Sequence, residues 1–250
     1  MHRPTLRAAV LALDGVLADL APAREAALTE ALAAEGAPVD DQRAVARAAR
    51  RAADAGWDDA VRSLGLADEV AAALVAHRAE RSLAARIRHG GVTYTWGAAA
   101  AVLALGARLR LALVTTLPGD DARLLLDGAG LTPLFGTVVA GDVPGGRGAP
   151  DAAWTAAVSR LAGRLPGLAP AEVAGLAGTV AGVAAARRAG LHAVRVAPPN
   201  PQAGATRDEP TPDDAPLGTP HVTLDAVAGL TPSALAAALD LPPFPAPIAR

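Results

Sequence analysis

The chain has 250 residues, of which 52% are hydrophobic and only 2% aromatic, so its core must be built mainly from alanine, leucine and valine. Its formal net charge of −2 argues against a broad basic surface for nucleic acid. It contains no cysteine, which excludes disulfides and thiolate chemistry, and no lysine, which excludes any mechanism that needs an ammonium side chain.

The chain shows no segment typical of membrane insertion or export. The first apolar run is interrupted by Asp14, too early for the apolar region of a signal peptide. The other alanine-rich stretches are interrupted by charged residues, so none is a convincing membrane span. We therefore expect a cytoplasmic protein that binds neither membrane nor nucleic acid.

The first elements predict a strand followed by a block of helices. Residues 8–13 are continuously apolar, which is typical of a strand buried on both faces of a parallel sheet. Residues 16–90 are then rich in alanine, arginine and glutamate at helical spacing. We predict that they form an inserted α-helical cap, with its main helices at residues 24–36, 40–56 and 67–87.

From residue 97 onward, short apolar strands alternate with helices, which predicts an α/β fold. We expect a Rossmann-like, doubly wound parallel sheet formed by residues 1–15 and 91–250. The proline-, glycine- and acid-rich residues 198–220 are expected to form a mobile surface loop. The remaining predicted elements are strands at 110–115, 136–141, 171–178 and 191–197, helices at 97–107, 120–130, 150–163 and 180–190, and a last strand and helix within 221–239.

Ligands of such a sheet bind beyond the carboxyl ends of its strands, where the strand order reverses. The candidate site residues therefore follow the predicted strands. Ala12 and Asp14 lie at the end of the first, Thr115 and Thr116 at the end of the second, Arg147 in the glycine-rich loop after the third, and Ala177 and Gly178 at the end of the fourth.

The order and spacing of four segments resemble the haloacid dehalogenase (HAD) superfamily, in particular its phosphoglycolate phosphatase and β-phosphoglucomutase-like branch. These segments are LDGVLAD (13–19), LALVTT (111–116), GRGAPDAAW (146–154) and TVAGVAAARRAG (179–190). The resemblance covers residues 7–197. It implies phosphoryl transfer to an aspartate that ends the first strand, a second acid two residues later, and Mg²⁺ held mainly by carboxylates.

The chain departs from this pattern where the chemistry takes place. The position of the nucleophile is Ala12, and the paired metal-binding acids fall on Ala177 and Gly178. No aspartate or glutamate occurs from Val173 to Arg207, so no shift of register supplies the missing acids. We therefore expect no metal and no cofactor, although Mg²⁺ is usual for the family.

The remaining positions keep part of a phosphate site. The resemblance places the acid/base at Asp14, the phosphate-binding hydroxyl at Thr115, with Thr116 beside it, and the phosphate-binding cation at Arg147. Each also has a structural interpretation: Asp14 as a cap of the turn after the first strand, the threonines as strand-end hydroxyls that start a helix, and Arg147 as a solvated loop residue. Trp57, Trp96 and Trp154 are interpreted as packing residues.

These features leave three hypotheses open. The first is a catalytically impaired pseudo-phosphatase that binds an anionic or phosphorylated small molecule, or a partner protein, in the former active site. The second is an active HAD-type hydrolase with an atypical active site. The third is a structural partner that uses its alanine-rich helices for packing.

Overall fold

The structure is a computed structural model and describes residues 4–37, 39–66, 68–142, 150–197 and 219–244. Arg147 and most of the predicted mobile loop at 198–220 lie outside these ranges, so both remain predictions. The strands are β1 (Ala8–Ala12), β2 (Ala18–Asp19), β3 (Thr93–Tyr94), β4 (Arg110–Val114), β5 (Phe135–Val139), β6 (Val173–Ala177), β7 (His192–Val196) and β8 (Val222–Leu224).

Six of these strands form one parallel sheet in the order β5-β4-β1-β6-β7-β8. The chain runs outward from the central strand β1 to β4 and β5, then returns to the other side of β1 for β6, β7 and β8. The strand order therefore reverses beside β1, which is where such sheets bind ligands. The predicted α/β, doubly wound fold is confirmed.

Helices cover both faces of this sheet. They are α5 (Ala98–Gly106), α6 (Gly119–Gly128), α7 (Pro150–Ala162), α8 (Val180–Arg188) and α9 (Pro232–Ala238). Side chains of β1 alternate between two buried clusters: Ala9 and Leu11 join the cluster that contains α5, α6 and α9, and Ala8 and Val10 join the one that contains α7 and α8. The continuous apolar run of β1 is thus explained by burial on both sides.

Four further helices lie within the predicted cap of residues 16–90. They are α1 (Ala21–Ala34), α2 (Gln42–Ala55), α3 (Trp57–Arg62) and α4 (Glu69–Arg88). They bury a third cluster of their own, mostly alanine and valine. Aspartates cap the N-termini of α2 and α4: Asp41 accepts from the Arg43 N–H at 2.9 Å, and Asp68 accepts from the Val70 N–H at 2.8 Å. The division of the chain into two domains at these boundaries stays a prediction.

The antiparallel pair β2 and β3 lies at the two junctions between these four helices and the sheet. Ala18 pairs with Tyr94 and Asp19 with Thr93, so the chain enters and leaves the helical region at one place. In the described part of the chain, no helix combines the length and the apolar character that crossing a bilayer requires.

Candidate binding site

A cavity of about 420 Å³ lies between the carboxyl ends of the central strands and the helices α2 and α4. The sheet contributes Ala12 at the end of β1, Asp14 in the turn that follows it, Thr115 and Thr116 after β4, and Asp142 after β5. Helical lining residues include Asp54, Trp57, His77 and Glu80. The cavity is therefore where the topology predicts a ligand site, and its size suits a small molecule.

The end of β1 presents a methyl group where the resemblance places a nucleophile. Ala12 lines the cavity, and a methyl group has no atom that can attack phosphorus or bind a metal. Asp14 follows, and Gly15 turns the chain with φ +73°. One Asp14 carboxylate oxygen, Oδ1, accepts from the Leu20 N–H at 3.3 Å, and the other, Oδ2, is paired with the Arg24 guanidinium. These contacts are those of the turn-capping role considered for Asp14.

Arg24 is the main feature that the sequence analysis did not identify. It projects from the first turn of α1 into the cavity wall, and only 2% of it is exposed. Burial lowers its pKa to about 10, and the negative charge of Asp54 partly offsets this effect. Arg24 is therefore still a cation at neutral pH. The signal was its spacing, because Ala27, Leu28 and Ala31 continue the same buried helical stripe.

The C-terminal end of α2 is hydrogen-bonded to two strand ends of the sheet. The Thr179 hydroxyl donates to Asp54 Oδ1 at 2.7 Å and also accepts from the Gly182 N–H at 3.0 Å, which caps α8. The Thr116 hydroxyl donates to the Ala53 carbonyl at 3.1 Å. These bonds hold the helices against the sheet and close one side of the cavity.

Of the two threonines predicted to bind phosphate, only Thr115 keeps a hydroxyl proton available for a ligand. Thr115 is 9% exposed, and its hydroxyl oxygen accepts from the Leu117 N–H at 3.1 Å, so its own O–H remains a donor for a ligand. The Thr116 hydroxyl proton is already directed to Ala53. The structure brings Thr115 and Thr116 together in the cavity wall with Asp14, and Arg147 is outside the described residues.

The two positions of the missing metal acids do not face the cavity as potential ligands. Ala177 is fully buried, and its methyl group lies 3.0 Å from where a Cβ on Gly182 of α8 would stand. Gly178 lies against Gly15, and a Cβ at 178 would be 2.7 Å from the Gly15 Cα. No group of three or more Asp, Glu, His or Cys side chains suited to a metal occurs among the described residues. The described residues around the cavity therefore do not fit the Mg²⁺ that the fold implies.

The described lining of the cavity is acidic. It contains more carboxylates than arginines, and its one described arginine, Arg24, is already paired with Asp14. Burial raises the pKa of Asp121; the charge of Arg88 opposes this effect, and the charges of Asp120 and Asp142 add to it. The lining carboxylates are Asp14, Asp54, Asp58, Glu80, Asp121 and Asp142. A dianionic phosphate would meet net repulsion from this set.

The three tryptophans differ in their environments. Trp154 is 3% exposed and packs under the sheet, as expected of a packing residue. Trp57 is half-buried and lines the cavity while contacting the helical core. Trp96 is 83% exposed, so its interpretation as a packing residue is wrong. It precedes α5 in the short connection after β3, where no element of the described chain covers it.

No family model and no curated protein matches the chain, and its similarity is to solved structures. CbbY from Rhodobacter sphaeroides in complex with phosphate is 22% identical, with a TM-score of 0.67 over 95% of this chain and 100% of that one. A predicted phosphoglycolate phosphatase from Haemophilus somnus is 18% identical, with a TM-score of 0.64 over 89% and 95%. β-Phosphoglucomutase from Clostridium difficile is 12% identical, with a TM-score of 0.69 over 94% and 98%.

These similarities extend over nearly the whole of each protein. They confirm that the chain has the fold of the HAD-like hydrolases, in the form shared by phosphoglycolate phosphatases and β-phosphoglucomutases. The resemblance predicted from the four sequence segments is thus confirmed at the level of the fold.

Proposed function

We propose that the chain is a pseudo-phosphatase: a small-molecule-binding protein that uses the HAD-like hydrolase fold without forming an aspartyl-phosphate. One observation carries the proposal. At the end of β1 the cavity meets the methyl group of Ala12 and a carboxylate, Asp14, that is already paired with Arg24. Covalent phosphoryl transfer needs a carboxylate oxygen that is free to attack.

The missing metal ligands support the same proposal. Without Mg²⁺, the charge of a phosphate ester must be neutralised by side chains. Arg24 has its charge directed to Asp14 and Asp54, so it is a poor substitute in that role. Loss of a nucleophile alone commonly lowers a hydrolase rate by roughly 10⁴–10⁶-fold. The second hypothesis, an active hydrolase with an atypical site, would have to work against both deficits.

The lining also bears on the class of ligand. Its excess of carboxylates favours a neutral or cationic small molecule over a dianionic phosphate. The phosphorylated ligand inferred from the sequence keeps one described donor, the Thr115 hydroxyl, and otherwise depends on Arg147. The half-buried ring of Trp57 in the wall suits a ligand with an apolar or cationic part.

Two measurements on the full chain test the proposal. Hydrolysis of a generic phosphate ester, with and without Mg²⁺, is expected to stay at background. Mg²⁺-dependent turnover that Asp14→Asn abolishes would establish the hydrolase instead.

Thermal unfolding with inorganic phosphate and with an alkylammonium salt tests the ligand class, because a ligand that binds only the folded state raises the midpoint. We expect no shift with phosphate. If phosphate raises the midpoint and Arg147→Ala removes that increase, the ligand is anionic, as the sequence predicts. Concentration-dependent mass without any response to ligand would favour the packing-partner hypothesis.

A further inference from the structure

A buried cation stands at the end of β1, between carboxylates that belong to different elements. The Arg24 guanidinium, carried by α1, is paired with Asp14 at the β1 turn. The charge of Asp54, at the end of α2, also acts on Arg24, and Asp54 is bonded in turn to Thr179 after β6. An ion pair, a charge interaction and a hydrogen bond thus connect β1, α1, α2 and the β6–α8 turn around one positive charge.

We propose that Arg24 is a built-in replacement for a divalent cation, supplying from α1 the positive charge that holds the carboxylates of this cavity together. The proposal rests on the proposed function in one respect, since both require that the wild-type chain has no working metal site.

The burial of Arg24 argues that its charge is used. An arginine that is 2% exposed loses nearly all of its hydration, which is unfavourable unless carboxylates compensate. The other buried residues of α1 are alanine and leucine, so packing alone does not require an arginine at position 24. Asp14, in turn, is 17% exposed by its side chain and would be left as an uncompensated charge without Arg24.

Geometry explains why one arginine suffices where a metal would need several ligands. Mg²⁺ requires near-octahedral oxygen ligands, and the positions that would complete them here are Ala12, Ala177 and Gly178. A guanidinium is planar, permanently charged and able to donate to more than one carboxylate. It is also tethered to α1, so its position does not depend on the metal concentration.

The test removes the tethered cation and asks whether a free one takes its place. Thermal unfolding of the full chain is followed in EDTA and in about 10 mM Mg²⁺. Wild type is expected to show the same midpoint in both. Arg24→Met is expected to unfold about 6–20 °C lower in EDTA, because the partly buried carboxylate of Asp14 loses its partner.

Mg²⁺ is then expected to raise the Arg24→Met midpoint by about 3–6 °C, which corresponds to a dissociation constant of about 1 mM. Adding Asp14→Asn to this variant is expected to abolish the Mg²⁺ response. Arg78→Met is the matched control, because it removes the same charge from the Arg78–Glu35 pair, in which the arginine is exposed, and it should not respond to Mg²⁺. If Arg24→Met does not fold, Arg24→Gln, which keeps an amide donor, takes its place in the same comparison.

Two results would overturn the inference. One is an Arg24 variant that responds to Mg²⁺ no more than Arg78→Met does. The other is a wild-type midpoint that Mg²⁺ raises and Asp14→Asn makes insensitive. If wild type does not hydrolyse a phosphate ester and the Arg24 variant does not respond to Mg²⁺, only the inference about Arg24 is wrong. If wild type hydrolyses a phosphate ester in the presence of Mg²⁺, the proposed function is wrong.

Discussion

The contact between Gly178 and Gly15 allows a prediction of stability with a defined magnitude. A Cβ at position 178 would stand 2.7 Å from the Gly15 Cα, 3.0 Å from the Gly15 carbonyl carbon and 3.2 Å from the Asp14 carbonyl oxygen. All three are backbone atoms, so no flexible side chain can move aside. Overpacking of this kind costs about 1–3 kcal/mol, and two backbone contacts at or below 3.0 Å place Gly178→Ala at the upper end.

Gly163→Ala is the matched control for this substitution. Both glycines lack the left-handed backbone conformation, so a difference between the variants reports on contact alone. At 163 the nearest atom to an added Cβ is the Arg160 carbonyl oxygen at 3.6 Å, which is ordinary packing distance. We expect that variant to stay within about 1 kcal/mol of wild type.

Urea unfolding followed by tryptophan fluorescence measures both variants. Gly178→Ala is expected to lose about 2–3 kcal/mol of unfolding free energy, or about 4–12 °C in thermal midpoint. A Gly178→Ala chain as stable as Gly163→Ala would show that the contact between residues 178 and 15 does not limit stability. The prediction bears on function because an aspartate at 178, where the resemblance expects a metal-binding acid, would meet the same backbone atoms.

Three further predictions follow from the site and the sheet edge. Ala12→Asp is expected to show no Mg²⁺-dependent hydrolysis of a phosphate ester, because the metal acids stay absent, and turnover in that single variant would contradict this. Thr116→Val is expected to lower the unfolding free energy by about 0.5–1.5 kcal/mol and to speed hydrogen exchange at the end of α2, whereas Thr29→Val, which removes an exposed hydroxyl bond on α1, should leave that exchange unchanged. The third concerns His221, whose Nδ1 accepts from the Ala193 N–H at 3.0 Å, and whose pKa is lowered below 6.5 by burial and by the charge of Arg187. Because the unfolded chain binds this proton more readily, the contribution to stability is fully present above pH 6.5 and falls as the pH drops towards the lowered pKa of His221. Wild type that is equally stable above pH 6.5 and below the lowered pKa would contradict this. An equal loss of stability in His221→Asn over the same pH range would contradict it as well.

The sheet and the long helices were predictable because each carries local signals. Strands such as β1 and β6 are short apolar runs with both faces buried, and α2 begins after Asp41 and ends at Gly56, both common helix boundaries. The helix α3 (Trp57–Arg62) was not predicted, since its six residues between two glycines lack a helical period. The pair β2 and β3 was missed as well, because two-residue strands leave no pattern.

The site was predictable only for residues at the ends of neighbouring parallel strands. The ends of parallel strands meet at one edge, so Ala12, Asp14 and Thr115 could be placed side by side from the sequence. Arg24 and Asp54 come from helices whose packing against the sheet no local pattern specifies. The acidic character of the cavity wall was therefore hidden, although the spacing of Arg24 on the buried face of α1 was visible.

A search for the phosphoryl-enzyme itself distinguishes a pseudo-phosphatase from a working phosphatase in one experiment. The full chain is incubated with a small acyl phosphate and Mg²⁺, quenched in acid and weighed by intact mass spectrometry. We expect no covalent phosphoryl group on the wild-type chain, because the residue at the nucleophile position is Ala12 and Asp14 is held by Arg24. A mass increase of one phosphoryl group that maps to Asp14 and disappears in Asp14→Asn would contradict it.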